Sequence, residues 1–173
     1  PDDPIARQVV PDPRELETLP GEQGDPIGDD RFSPVAGITH RYPDRVLLKP
    51  VLVCPLYCRF CFRREVVGGP VGSLTPPELD AAVDYIAARP QIREVILTGG
   101  DPLLLAPRRL DGLLERLGRI RHVETLRIHS RVPVADPLRI DADLVAALRQ
   151  ARAVWLSVHV NHVRELGAEA VAA

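Results

Sequence analysis

Apolar runs begin near residues 93, 123 and 153, one every 30 residues, and each interval holds a helix-like stretch. The runs 93–98, 123–129 and 153–160 are short and rich in β-branched residues, as buried strands are. Between them, Leu110, Leu113, Leu114 and Leu117 stand at i, i+3, i+4 and i+7, after Pro107 and before Gly118. Asp141 heads another helix, with Leu144, Val145 and Leu148 inward. Thr75-Pro-Pro-Glu78 reads as a capping box opening a third, closed by Arg89-Pro90. An earlier run, 46–53, supplies the first strand, and Pro50 within it predicts a sheet edge or a bulge. Repeated strand–helix units require parallel strands joined by right-handed crossovers. A closed eightfold barrel takes about 250 residues. The 173 residues here predict an α/β chain forming a partial parallel (β/α) barrel of about four βα units. With no methionine in it, the chain is expected to be a piece cut inside such a barrel.

All three cysteines fall in Cys54-Pro-Leu-Tyr-Cys58-Arg-Phe-Cys61, directly after the first strand. An odd number cannot all pair as disulfides. Thiolates this close suit a compact centre of iron and sulfide, zinc or Cu(I). A four-iron cluster normally takes four cysteines, so three would leave one iron open to a reacting ligand. Two alternatives stand beside the cluster: a zinc site of three cysteines with a histidine such as His40, and three unliganded thiols. The strand end is where barrel chemistry belongs.

Residues 1–45 are dense in proline, glycine and aspartate and predict a loop-rich N-terminal extension with a few helical turns. The barrel is assigned to 46–173. Arg41 and Arg45, four apart before the first strand, would hold a phosphate if their guanidiniums converged. A net charge of −2 gives no sign of a nucleic-acid partner. No apolar run approaches the roughly 18 residues of a membrane span. Clustered free thiols fit a reducing, cytoplasmic setting.

The cysteine spacing resembles the signature of radical S-adenosylmethionine (radical SAM) enzymes. Further blocks resemble the lysine 2,3-aminomutase family among them: HRYPDRVLL at 40–48, YCRFCFRR at 57–64, ILTGGDPL at 96–103, LRIHSRVPV at 126–134 and HVNHVREL at 159–166. Phe60, Phe62 and the 126–134 block are most like its aminomutase-like homologues. The resemblance implies a (β/α)6 partial barrel, of which about four units would be present. It implies reductive cleavage of SAM by a [4Fe–4S] cluster to a 5′-deoxyadenosyl radical. That radical would drive pyridoxal phosphate (PLP)-assisted migration of an amino group from the α- to the β-carbon of an amino acid, L-lysine in the first instance.

Residue roles follow by position from the resemblance. Cys54, Cys58 and Cys61 would ligate the cluster. Gly99, Gly100 and Asp101 would lie against the methionine amino group of SAM, Arg63 would grip the substrate carboxylate, and Arg41 and Arg45 would lie near the PLP phosphate. His129, Ser130, His159 and Asn161 end strands, placed to touch SAM or PLP or to serve as hydrogen-bonded structure. Asn161 would also cap a further helix. The family's PLP lysine lies downstream of these blocks, and Lys49, the sole lysine, does not match it. Val163 stands where the family pattern has proline. Residues 1–173 alone are therefore expected to show little or no aminomutase turnover. Expected partners are the amino-acid substrate and an electron donor of the flavodoxin or ferredoxin kind. A half barrel also exposes a sheet edge and apolar faces, which predicts aggregation or a homo-oligomer. A radical SAM enzyme working without PLP, or a non-catalytic zinc or electron-transfer module, are the competing functions.

Overall fold

The computed structural model describes residues 2–149 and 152–173; Pro1, at the head of the 1–45 segment, lies outside the described residues, as do 150 and 151. The regular elements are α1 (Ala6–Val9), β1 (Ile38–Tyr42), β2 (Arg45–Val51), α2 (Pro76–Ala87), β3 (Glu94–Gly99), α3 (Pro107–Gly118), β4 (Thr125–Ser130), α4 (Val132–Ala135), α5 (Ala142–Leu148), β5 (Val154–Val158) and α6 (Ala168–Ala172). They form one five-stranded sheet in the order β1-β2-β3-β4-β5. β2 to β5 run parallel, joined through α2, α3 and the α4–α5 segment, as the 30-residue step predicts. The mixed α/β fold with a mostly parallel sheet is that of a partial βα barrel.

Two of the helices begin where a side chain satisfies a free N–H group. At α2, the Glu78 carboxylate accepts from Thr75 N and from the Thr75 hydroxyl. At α5, Asp141 Oδ1 accepts from Leu144 N at 2.8 Å. The four leucines predicted inward on α3 are all buried. They pack with Ala82, Val83 and Ile86 of α2 against Val46, Leu48, Val95, Leu97, Leu126 and Ile128 of the sheet. Alternation along each strand sends every second residue to the opposite face, which is the concave side of the open barrel. Leu47, Ile96, Arg127 and Trp155 form one cross-strand row there, and His129 and Ser157 pair in the row above.

Two expectations are corrected, and of the two alternatives at Pro50 the irregularity is the one found. The 1–45 stretch contains a full strand, β1, paired antiparallel with β2 around Pro43-Asp44. The 45/46 boundary thus falls inside a hairpin. Ile38-Thr-His-Arg-Tyr42, β-branched and aromatic before a two-residue turn, was the signal for it. Pro50 does mark a register irregularity between Leu48 and Val51, but β2 is not the sheet edge, because β1 covers it. Asn161 caps no helix. Its side chain turns to His159 and Gln8, and the next regular turn, Val163–Glu165, is capped by His162. The few helical turns expected in 1–45 are present and are fastened to the domain: Gln8 of α1 is buried, and its carbonyl accepts from Arg59 N at 2.8 Å.

Candidate active site

Beyond β2 the chain stays extended and is held against the end of β3. Gly100 N donates to Val51 O and Asp101 N to Val53 O, each at 2.8 Å. This places Cys54, the next residue, over the carboxyl ends of β3 and β4. The approach is close enough to require glycine. A Cβ on Gly100 would lie 2.3 Å from Val53 O, and one on Gly99 would lie 2.8 Å from Lys49 Cβ at a φ of +110°. What comes close is the chain's own strand, and the effect is to fix the cysteine loop. The base of that loop is closed by Leu52 N to Gly72 O and Gly68 N to Leu52 O.

One cavity of about 380 Å3 gathers most of the expected residues. It is lined by Cys54, Cys58, Cys61, Arg63, Gly99, Gly100, Asp101, His129, Ser130 and His159, together with Phe60, Arg131 and Ser157. Its position at the carboxyl ends of parallel strands is the position of active sites in βα barrels. Burial first, and then the nearby Asp101 carboxylate, push the Cys54 thiol up to about 12. Loss of that proton must accompany any metal bond. Partial burial, then the Arg127 cation, lower the His129 imidazole below its ordinary value.

Asp101 is buried, and its carboxylate is spent within the fold. Oδ1 accepts from Leu103 N and the Ser130 hydroxyl, and Oδ2 from Arg131 N and Val132 N. Ser130 is spent likewise, so both serve the site by shaping it. His159 faces the Phe60 ring edge-on with centroids 5.9 Å apart, and its Nε2 lies 2.9 Å from Asn161 Oδ1.

Arg41 and Arg45 do not come together. The bulged hairpin sends Arg41 over Phe32, with bonds to Ile27 O and Asp29, and Arg45 over Tyr42, with Asp44 and Glu94 as partners. Arg63 does reach the cavity. Its Nη2 sits 2.9 Å from Asp29 Oδ2, so one buried carboxylate joins Arg63 and Arg41. The Asp29 loop is itself shaped by Asp25, which accepts from the backbone N of Asp29 and Asp30. Lys49 points to the same region; burial lowers its pKa and Asp29 opposes the shift.

Two contributors, Gln8 and Arg131, were not singled out from the sequence, although Arg131 lies in the 126–134 block. Arg131 Nη1 donates to Cys58 Sγ at 2.9 Å, while Nη2 donates to Gln8 and to Glu165. Burial alone would push Glu165 up; hydrogen bonds from Arg131 and Gln8 outweigh it and hold Glu165 at about 2.

Cys54, Cys58 and Cys61 face one cavity, a donor set that suits a thiolate-ligated centre. Among the described residues, no three His, Cys, Asp or Glu side chains are grouped to hold one metal ion. In a [4Fe–4S] cluster each cysteine takes a separate iron. His40, the histidine named for a zinc site, lies in β1 and does not line this cavity; its Nδ1 is 2.8 Å from the Tyr85 hydroxyl. Arg131 Nε is buried without a hydrogen-bond partner, a cationic donor left unspent beside Cys58.

Residues 48–172 match the family model of the radical SAM superfamily. The L-lysine 2,3-aminomutase of Acetoanaerobium sticklandii is 46% identical over 169 residues, which cover 98% of this chain and 41% of that protein. The L-lysine 2,3-aminomutase of Clostridium subterminale is 43% identical over 173 residues, covering 100% of the chain and 42% of its own length. That of Escherichia coli is 38% identical over 167 residues, covering 96% and 48%. The chain therefore spans less than half the length of these relatives. No helix among the described residues is long and apolar enough to cross a membrane. The superfamily implies a [4Fe–4S] cluster and SAM, which agrees with three cysteines and a strand-end cavity. By its cysteine loop, its parallel βα sheet and a match over most of its length, the chain belongs to the radical SAM superfamily, with L-lysine 2,3-aminomutases as its relatives there.

Proposed function

We propose that this chain is part of a PLP-dependent radical SAM aminomutase acting on L-lysine or a related amino acid. The convergence of Cys54, Cys58 and Cys61 with the β3 end in one cavity carries this reading. The three thiolates would hold the cluster, with SAM on the open iron beside Gly99 and Gly100. When bound, these groups supply reductive C–S cleavage and a carbon radical, and PLP carries the migrating nitrogen. The chain's own residues orient and enclose. Arg63 presents a planar fork suited to a carboxylate, and a substrate carboxylate would share it with Asp29. Asp101 fixes the turn after β4, and Phe60 with His159 walls one side of the cavity. An electron donor of the flavodoxin or ferredoxin kind would supply the electron, and reduced thiols suit a cytoplasmic setting.

Anaerobic reconstitution with iron and sulfide, dithionite reduction and EPR with and without SAM test this. A reduced-cluster signal that changes shape with SAM is the expected result. Retained zinc and no iron would overturn it. A second reading, a radical SAM enzyme without PLP, is favoured by Arg41 and Arg45 being engaged by separate acids. Titration of the full-length protein with PLP, followed by absorbance, separates the two.

A further inference from the structure

Arg131 is held on several sides at the wall of the cavity. Its backbone N donates to Asp101 Oδ2 at 2.7 Å. Its Nη2 is bonded to Gln8 Oε1 and lies 2.7 Å from Glu165 Oε2. Gln8 is fixed in turn, donating to Glu165 at 3.0 Å and accepting from Asn161 at 2.9 Å. The guanidinium stacks 5.8 Å from the centre of the Phe60 ring. Only 8% of the side chain is exposed. Held on these sides, Nη1 has one direction left, toward Cys58 Sγ at 2.9 Å.

A cation fixed against a ligating sulfur has a physical consequence. Reduction potentials of iron–sulfur centres follow net charge, hydrogen bonds to sulfur and exposure. Reduction adds negative charge, so a buried N–H donor and positive charge at Cys58 favour the reduced state. Glu165, 6% exposed, partly neutralises that charge. We propose that Arg131 sets how easily the centre held by Cys58 is reduced, with Glu165 and Gln8 as positioning residues that fix and moderate it. This rests on the cluster reading above.

The test is a redox titration of the reconstituted full-length protein, followed by EPR, with iron and sulfide counted first. R131Q is expected to lower the equilibrium constant for one-electron reduction at least tenfold, a shift of 59 mV to more negative potential. R131K keeps charge without the fixed fork and should fall between R131Q and wild type. E165Q removes the opposing charge and should move the potential the other way. A merely structural role would shift both variants alike or strip iron from both. Unchanged potentials in R131Q and E165Q with full clusters, or shifts of the same sign, overturn the inference. Should R131Q hold no iron, E165Q decides alone: easier reduction upholds it, and unchanged or harder reduction overturns it. A wild-type protein without iron and sulfide overturns the cluster reading itself, and that is known before any potential is measured.

Discussion

The Ser130 hydroxyl donates to Asp101 Oδ1 at 2.8 Å, tying the end of β4 to the end of β3 across 29 residues. The same carboxylate takes the backbone N–H groups of Arg131 and Val132. Asp101 is thus the joint on which the cavity floor turns. Replacing it with alanine should cost about 2–4 kcal/mol, since several buried donors lose a charged acceptor together. Asp101→Asn keeps the shape and should cost less. Denaturant unfolding of the two variants beside wild type measures the difference.

Gly100 has no room for a methyl group, because Val53 O and Val53 N would lie 2.3 and 2.5 Å from it. Both are backbone atoms leading straight into Cys54. Gly100→Ala should therefore lose iron after reconstitution as well as stability. Gly112, inside α3, is the control, for an added Cβ there meets nothing within 4 Å. Gly112→Ala should stabilise by about 0.5–1 kcal/mol and leave iron content unchanged. Iron per chain and the unfolding midpoint, measured on both, decide the matter.

Acid should release the Arg131 network. Glu165 is held at about 2 against an ordinary 4.5, so its folded-state pKa is depressed. The stability this gives is fully present above about pH 4.5 and is lost as pH falls toward about 2. Wild type and Glu165→Gln should differ most above that window and converge at its acid end. Unfolding curves taken across the range test the sign. A gap that widens on acidification would contradict it.

Asp29 serves two cations, Arg63 at 2.9 Å and Arg41 at 3.4 Å. Asp29→Ala leaves a largely buried guanidinium without its anion and should destabilise by about 2–4 kcal/mol. An added anion such as phosphate should recover part of the loss, more than it gives wild type. Thermal melts with and without phosphate measure this.

β5 presents an unpaired edge, with Trp155 61%, Leu156 39% and Val158 43% exposed. Self-association through this strand is expected, with Trp155 fluorescence shifting as concentration rises. Leu156→Lys should weaken it, as read by light scattering.

The parts legible in the sequence were those set by local periodicity. The 30-residue step located β3, β4 and β5, and the leucine spacing located α3 with its bounds. The cysteine loop and Gly99-Gly-Asp101 were legible as a pair because both sit at strand ends. β1 was hidden because Pro43 and the surrounding loop residues outweighed the short run Ile38–Tyr42. Arg41 and Arg45, four apart in the chain, would have held a phosphate only if they converged, and a bulged hairpin separates the two side chains. The role of Arg131 beside Gln8 could not be read, although Arg131 lies in the 126–134 block. Their meeting with Cys58 joins residues 73 and 123 positions apart, and no local pattern encodes such a contact.

Gln8 and Glu165 lie 157 residues apart in the chain and meet beside Cys58. Long loops close slowly, because their entropy is lost before any contact repays it. During synthesis the cysteine loop is made early, with Gln8 already waiting, but Arg131 and then Glu165 leave the ribosome long afterwards. The thiols thus stand without their cationic clamp until Arg131 has been made. The wall beside Cys58 therefore closes only once residues from distant parts of the chain have met.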